Sequence, residues 1–152
     1  MIRLSDYIDE RLVVFFDTTS KEEVLKKLVD VVITTKELPA HDRFYQAILD
    51  REKLVSTAIG MGVAIPHAKL PIYSDFFMAV GILQKGIDWS APDDSLVRLV
   101  FLVGGPDNKQ TEYLKLLSSI TTAMRNEQLR RRLTMATSPE AVAALLRSAV
   151  VS

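Results

Sequence analysis

Two compact apolar runs govern what this chain is able to fold into. They are Phe76 to Gln84 and Val97 to Val103, each closed by turn-forming residues, Lys85-Gly86 and Gly104-Gly105-Pro106. A strand that is apolar on both sides of its pleat is stable only when both faces of its sheet are covered. Phe76 to Leu83, a purely apolar stretch, falls far short of the ~20 residues needed to cross a bilayer. Both runs are therefore predicted as central strands of a buried sheet.

The cover is legible on either side of them. Ser20-x-x-Glu23 has the form of a capping box, followed at helical spacing by Val24, Leu25, Leu28, Val29 and Val32. After Leu38-Pro39, Asp42 is expected to cap a second helix that carries Phe44, Tyr45, Ile48 and Leu49 inward and ends near Leu54. Leu114, Leu117, Ile120 and Met124 mark a third helix from Thr111, and a further helical turn or two is expected around Glu127 to Leu133. Ser138-Pro139 opens a last helix through Leu146, with proline at its first position. Leu12 to Phe16 suits a short strand, and Val55 to Pro71 reads as loop around a short Val63-Ala64-Ile65 strand. Strands interleaved with helices predict an α/β layered fold with the sheet between helices.

The 152 residues fit one domain, and no linker, repeat or low-complexity tract divides residues 1–152. Lys+Arg 19 against Asp+Glu 19 gives no electrostatic pull toward phosphate backbones or anionic lipid, so no nucleic acid and no membrane insertion are expected. The first residues mix acidic and basic side chains where a signal peptide needs an apolar core, which predicts a cytoplasmic protein. The absence of cysteine removes disulfides, thiolate catalysis and Cys-ligated metals. No Gly-Lys-Ser/Thr, complete Gly-x-Gly-x-x-Gly, His-Glu-x-x-His or Asp-rich loop occurs, so neither a nucleotide cofactor nor a metal is expected.

Imidazole chemistry has two addresses, His41 and His67. His41 precedes Asp42 at an expected helix start, where a solvated or capping role suffices. His67 closes Gly60-Met61-Gly62-Val63-Ala64-Ile65-Pro66-His67, in which glycines let backbone N–H groups approach an anion and Pro66 stiffens the approach to the ring. A neutral imidazole is a nucleophile that takes and passes on a phosphoryl group. A histidine merely hydrogen-bonded within a loop is the alternative. Arg51-Glu52 and Ser56-Thr57 converge in sequence on the same stretch: a guanidinium holds phosphate oxygens bidentately, and hydroxyls donate to those that remain. For Arg51 the alternative is a salt bridge at a helix end. Arg130-Arg131-Arg132 reads as an exposed helix face, and Trp89 as packing at a turn.

At these residues the chain resembles the enzyme IIA domain of the fructose–mannitol class of the bacterial phosphoenolpyruvate-dependent sugar phosphotransferase system (PTS), which includes the nitrogen-regulatory enzymes IIA. The resemblance spans residues 3–148. It is carried by Arg51-Glu52, Ser56-Thr57-Ala58-Ile59-Gly60, Gly62-Val63-Ala64-Ile65-Pro66-His67, and Ile87-Asp88-Trp89 followed by Val97-Arg98-Leu99-Val100-Phe101-Leu102. It implies a mixed β-sheet flanked by helices on both faces and a phosphohistidine relay without metal or cofactor. His67 would accept a phosphoryl group on its tele nitrogen from the phosphocarrier HPr or its nitrogen-branch relative, then pass it to an enzyme IIB domain or hold it as a mark read by a regulatory target protein. Arg51 would steady the group, with Ser56, Thr57, Gly60 and Gly62 as its binding loop. Glu52 and Glu112 are candidates to orient the arginine or the imidazole. Many members of this family have a second histidine where this chain has Tyr113, which keeps a donor but cannot become cationic. The lack of a fused carrier or membrane domain favours the regulatory branch over sugar transport.

Overall fold

Among the residues described by the computed structural model, 3–149, six strands form one mixed sheet. After two 3₁₀ turns at Leu4–Tyr7 and Glu10–Leu12 come β1 (Val13–Phe16), α1 (Lys21–Thr35) and α2 (His41–Leu54). Three very short strands follow, β2 (Ala58–Gly60), β3 (Val63–Ala64) and β4 (His67–Lys69), and then the two long ones, β5 (Phe77–Ile87) and β6 (Val97–Gly105). Three helices, α3 (Gln110–Met124), α4 (Glu127–Met135) and α5 (Pro139–Ala149), complete the order.

The two apolar runs are the centre of the sheet, as their composition requires. Strand order is β1-β5-β6-β3-β2, with β4 also pairing β6. β5 and β6 are antiparallel, whereas β1 lies parallel to β5 and both β3 and β4 parallel to β6. The period of two then divides the core. Ala79, Leu83, Val100 and Leu102 face α1 and α2, packing with Leu25, Leu28, Phe44 and Ile48. Met78, Val80, Ile82, Phe101 and Val103 face α3, α4 and α5, packing with Leu116, Ile120, Leu133 and Leu146. Helices thus cover both faces, and truncating a fully buried residue such as Leu28 to alanine would cost about 2–5 kcal/mol.

The helix starts are mostly those the sequence signals. Ser20 Oγ accepts from the Glu23 N–H at 3.2 Å, and Ser138 Oγ from the Ala141 N–H at 3.1 Å ahead of Pro139. Three expectations are corrected. Asp42 does not cap α2; the helix begins at His41, two residues earlier than such a cap would set, after Ala40 in the left-handed conformation, with no side-chain cap, and Asp42 pairs with His41 instead. Lys85-Gly86 does not end β5, because a register shift between Ile82 and Ile87 absorbs the irregularity and pairing resumes at Ile87↔Val97. Gly104-Gly105 is strand, not turn: an added Cβ would lie 2.3 Å from the Phe77 ring at Gly104 and 2.3 Å from the Phe76 ring at Gly105. These glycines make room for aromatic rings crossing the sheet.

Candidate functional site

The site is built on a strand track interrupted once. β3 runs beside β6 at Val63↔Leu99 and Ala64↔Val100, and β4 resumes beside the same strand at His67↔Val103 through Lys69↔Gly105. Pro66 occupies the interruption, where its missing N–H costs no ladder bond. Its carbonyl accepts from the Val103 N–H at 2.9 Å, while the Ile65 N–H donates to Thr57 O at 3.0 Å. The Ile65 carbonyl lies 2.7 Å from His67 Nδ1. A carbonyl only accepts, so Nδ1 carries the proton and Nε2 keeps its lone pair. Burial pushes the His67 pKa below the ordinary imidazole value; its bond to Ile65 opposes this and the charge of Arg51 adds to it. The ring is neutral at pH 7 and available as a nucleophile.

His67 lines two cavities. The larger, about 670 Å³, lies between α2 and the start of α3 and is lined among others by Arg51, Leu54, Lys69, Tyr113 and Leu117. The smaller, about 170 Å³, is lined by Arg51, Ser56, Thr57 and Thr121 as well as His67. Arg51, in the last turn of α2, therefore borders both, and its Nη1 donates to Val55 O at 2.8 Å. None of the ion pairs among the described residues involves it. Lys69 was not singled out in the sequence, although the period of two places it on the face of β4 that His67 occupies. Its ammonium donates to Gln110 Oε1 at 2.6 Å and lies 4.9 Å from the Tyr113 ring centroid. Two cations thus border the histidine with neutral partners in place of carboxylates.

Tyr113 meets His67 edge to face, with ring centroids 5.7 Å apart, and stacks on Phe76 at 6.1 Å. Its hydroxyl is buried without a hydrogen-bond partner, and burial raises its pKa. It is a protonated donor lacking an acceptor. Ser56 and Thr57 border the smaller cavity, yet both hydroxyls are given inward, Ser56 to Trp89 O and Thr57 to Glu52. Gly60 and Gly62 line neither cavity. With φ of 89° and 76° they form the tight turn between β2 and β3, where Asp93 accepts from the Met61 N–H at 2.9 Å and Ser95 from the Gly62 N–H at 3.1 Å. Asp93 was missed in sequence; its hydrogen bonds from Ser95 and Met61 hold its carboxyl at about 2.

The remaining candidates lie elsewhere. His41 is paired with Asp42 at 2.8 Å and Asp30 at 2.5 Å, away from both cavities. Arg130 donates to Met124 O at 2.7 Å and ties α4 to the end of α3, whereas Arg131 pairs with Glu127 at 2.7 Å on an exposed face. Glu112 is exposed in the first turn of α3. Trp89 is fully buried. No helix among the described residues is long and apolar enough to cross a membrane.

Known proteins resemble this chain in sequence and in fold. Residues 6–149 match the family model described as "Phosphoenolpyruvate-dependent sugar phosphotransferase system, EIIA 2". The chain is 34% identical over 145 residues to a nitrogen regulatory protein of Pseudomonas aeruginosa, covering 93% of each. It is 32% identical over 126 residues to the fructose-specific EIIABC component of the PTS from Bacillus subtilis, covering 83% of this chain and 20% of that much longer protein. In structure it resembles the nitrogen regulatory protein IIA-Ntr from Neisseria meningitidis, with a TM-score of 0.86 and 26% identity over 94% of this chain and 98% of that one. The match along nearly the whole chain, to the family model and to relatives of the same length, makes this protein a member of the EIIA type-2 family of the phosphoenolpyruvate-dependent sugar phosphotransferase system.

Proposed function

We propose that His67 is the phosphoryl-accepting residue of a relay, fed by HPr or a nitrogen-branch relative of it, and that the phosphorylated state serves a nitrogen-regulatory role. The observation that carries this reading is the 2.7 Å bond from His67 Nδ1 to Ile65 O, which leaves Nε2 as the free nucleophile. In the transfer, the Nε2 lone pair forms a bond to the phosphorus of the carrier's phosphohistidine, and the carrier's own P–N bond breaks with its electron pair returning to the carrier's ring nitrogen. Charge balances when the carrier's ring is protonated at its other nitrogen: it departs as a neutral imidazole, while His67 keeps its Nδ1 proton and becomes the phosphoimidazolium. The group passes through a metaphosphate-like state with its charge on three oxygens, so positioning and electrostatics carry the catalysis. Arg51 and Lys69 supply positive charge, and the unpartnered Tyr113 hydroxyl supplies a donor. Exposed Leu54, Val55 and Leu114 give the carrier apolar surface at the rim.

The alignment with nitrogen regulatory proteins along nearly the full chain supports the regulatory branch. The likeness to a fructose-specific component keeps the second reading, transfer to an enzyme IIB domain for sugar uptake. Incubation with phosphoenolpyruvate, enzyme I and the carrier, with wild type beside His67→Ala, tests the relay: an acid-labile label is expected on the wild type alone. No label on wild type sinks the mechanism, and label on both moves the site. Adding cognate enzyme IIB separates the branches, since rapid loss of label to it favours transport.

A further inference from the structure

Behind Arg51 lies a polar network that no step of the relay uses. Glu52, the next residue of α2, has a side chain only 6% exposed. Its Oε1 accepts from the Thr57 hydroxyl at 2.5 Å, and its Oε2 from the Thr57 N–H at 3.0 Å and the Lys21 ammonium at 3.1 Å. Thr57 Oγ1 accepts in turn from the Trp89 indole N–H at 3.3 Å, and the Lys21 ammonium lies 4.9 Å from the centroid of that ring. The Ser56 hydroxyl donates to the Trp89 carbonyl. The start of α1, the end of α2 and the segment after β5 thereby grip residues 56–57 from the rear.

The grip matters because burial does not hold the preceding turn. Leu54 and Val55 are 78% and 68% exposed, yet the Val55 carbonyl is the group that receives the Arg51 guanidinium. A helix end with so little apolar contact frays unless polar bonds fix it. We infer that Glu52 is a positioning residue: through Thr57 and the turn at 54–57 it fixes the Val55 carbonyl, and so holds Arg51 beside His67. Its carboxylate takes the two donors of Thr57 and the ammonium of Lys21, not the guanidinium next to it. This inference rests on the relay reading of His67.

The test compares Glu52→Gln and Thr57→Val, each in the wild-type and the Arg51→Gln background, by phosphoryl transfer from the carrier onto His67. Glu52→Gln keeps the shape but replaces one acceptor oxygen with a donor, and Thr57→Val removes the hydroxyl that bridges Glu52 to Trp89. Either variant is expected to slow transfer at saturating carrier roughly ten- to hundredfold, as a displacement of about 1 Å in a catalytic group does, with KM for the carrier unchanged. Neither is expected to slow it further once Arg51 is gone. The emission of Trp89, the sole tryptophan, is expected to shift in both variants. Equal slowing in both backgrounds, transfer at the wild-type rate, or unchanged Trp89 emission overturns the inference while leaving the relay intact. If Glu52→Gln does not fold, Thr57→Val alone decides. Absence of label on wild-type His67 would instead overturn the relay, and this inference with it.

Discussion

Replacing Tyr113 by phenylalanine should move the two states of this protein in opposite directions. The substitution removes only the hydroxyl, which is buried with no partner, and keeps the ring contacts to His67 at 5.7 Å, to Phe76 at 6.1 Å and to the Lys69 ammonium at 4.9 Å. Burying a hydroxyl without an acceptor costs about 1–3 kcal/mol relative to the hydrated unfolded chain. Against this, roughly 10 Å³ of new void at about 24 cal/mol per Å³ costs only about 0.2 kcal/mol. The unphosphorylated variant should therefore be more stable than wild type by about 1–2 kcal/mol, or about 2–8 °C in Tm for a chain of 152 residues. Once His67 carries a phosphoryl group, the same hydroxyl gains a charged acceptor, a bond worth about 1.5–3 kcal/mol that phenylalanine forfeits. The phosphoform should then be depleted roughly ten- to hundredfold at equilibrium with the carrier. Thermal unfolding of the unmodified protein reads the first effect, and the decay and steady level of acid-labile label read the second. A lower Tm for Tyr113→Phe would show that the hydroxyl is already satisfied, and wild-type labelling and lifetime would remove its role in the relay.

Further outcomes follow from other parts of the molecule. Because burial lowers the His67 pKa, labelling by the carrier should stay level from about pH 8 to about pH 7 and decline only below the ordinary imidazole value, as the ring protonates; a decline centred above pH 7 would contradict the environment described. His41 has the opposite sign: hydrogen bonding to Asp42, then Asp30, raises its pKa, so its stabilising contribution is full below about pH 6.5 and is lost as pH rises through the folded value. Urea unfolding of wild type and His41→Asn should accordingly differ more at about pH 6 than at about pH 9, and equal differences would refute the pairing. Gly104→Ala should cost about 1–3 kcal/mol in urea unfolding, since its Cβ would lie 2.3 Å from Phe77 and 2.7 Å from Phe44; a neutral result would mean the rings yield freely.

What the sequence disclosed, and what it withheld, divides by range. Period and composition over many residues revealed the two central strands and the inward faces of α1 and α2, because burial on a sheet face or a helix face repeats; on α3 they fixed Ile120 and Met124, but the buried face begins with Tyr113 and Leu116, and Leu114 is exposed. Of the short strands around His67 only β3 was foreshadowed, by Val63-Ala64-Ile65; β2 and β4 lie in the stretch read as loop, since three residues carry no period and β4 is set by β6 from far along the chain. Glycine was ambiguous for a related reason. Gly60 and Gly62 are needed for backbone turning, Gly104 and Gly105 for ring clearance, and the residue type alone does not distinguish the two. Resemblance singled out Arg51, His67 and Tyr113, but not that the Ser56 and Thr57 hydroxyls face inward, since their partners Trp89 and Glu52 meet them only in three dimensions. Lys69 was within reach of the alternation of β4 alone.

The bond that pins His67 Nδ1 to a backbone carbonyl of the interrupted strand has a consequence for traffic through the relay. A ring so tethered does not turn over, so one nitrogen must serve as both entrance and exit. In the transport reading of the proposed relay, donor and recipient would then need the same doorway and would not be seated together. Exchange would proceed by turns, in ping-pong fashion, with each visitor competing with the next. A surplus of the spent, dephosphorylated carrier would slow delivery downstream simply by occupying the door, making throughput depend on the ratio of the two partners as well as on their amounts.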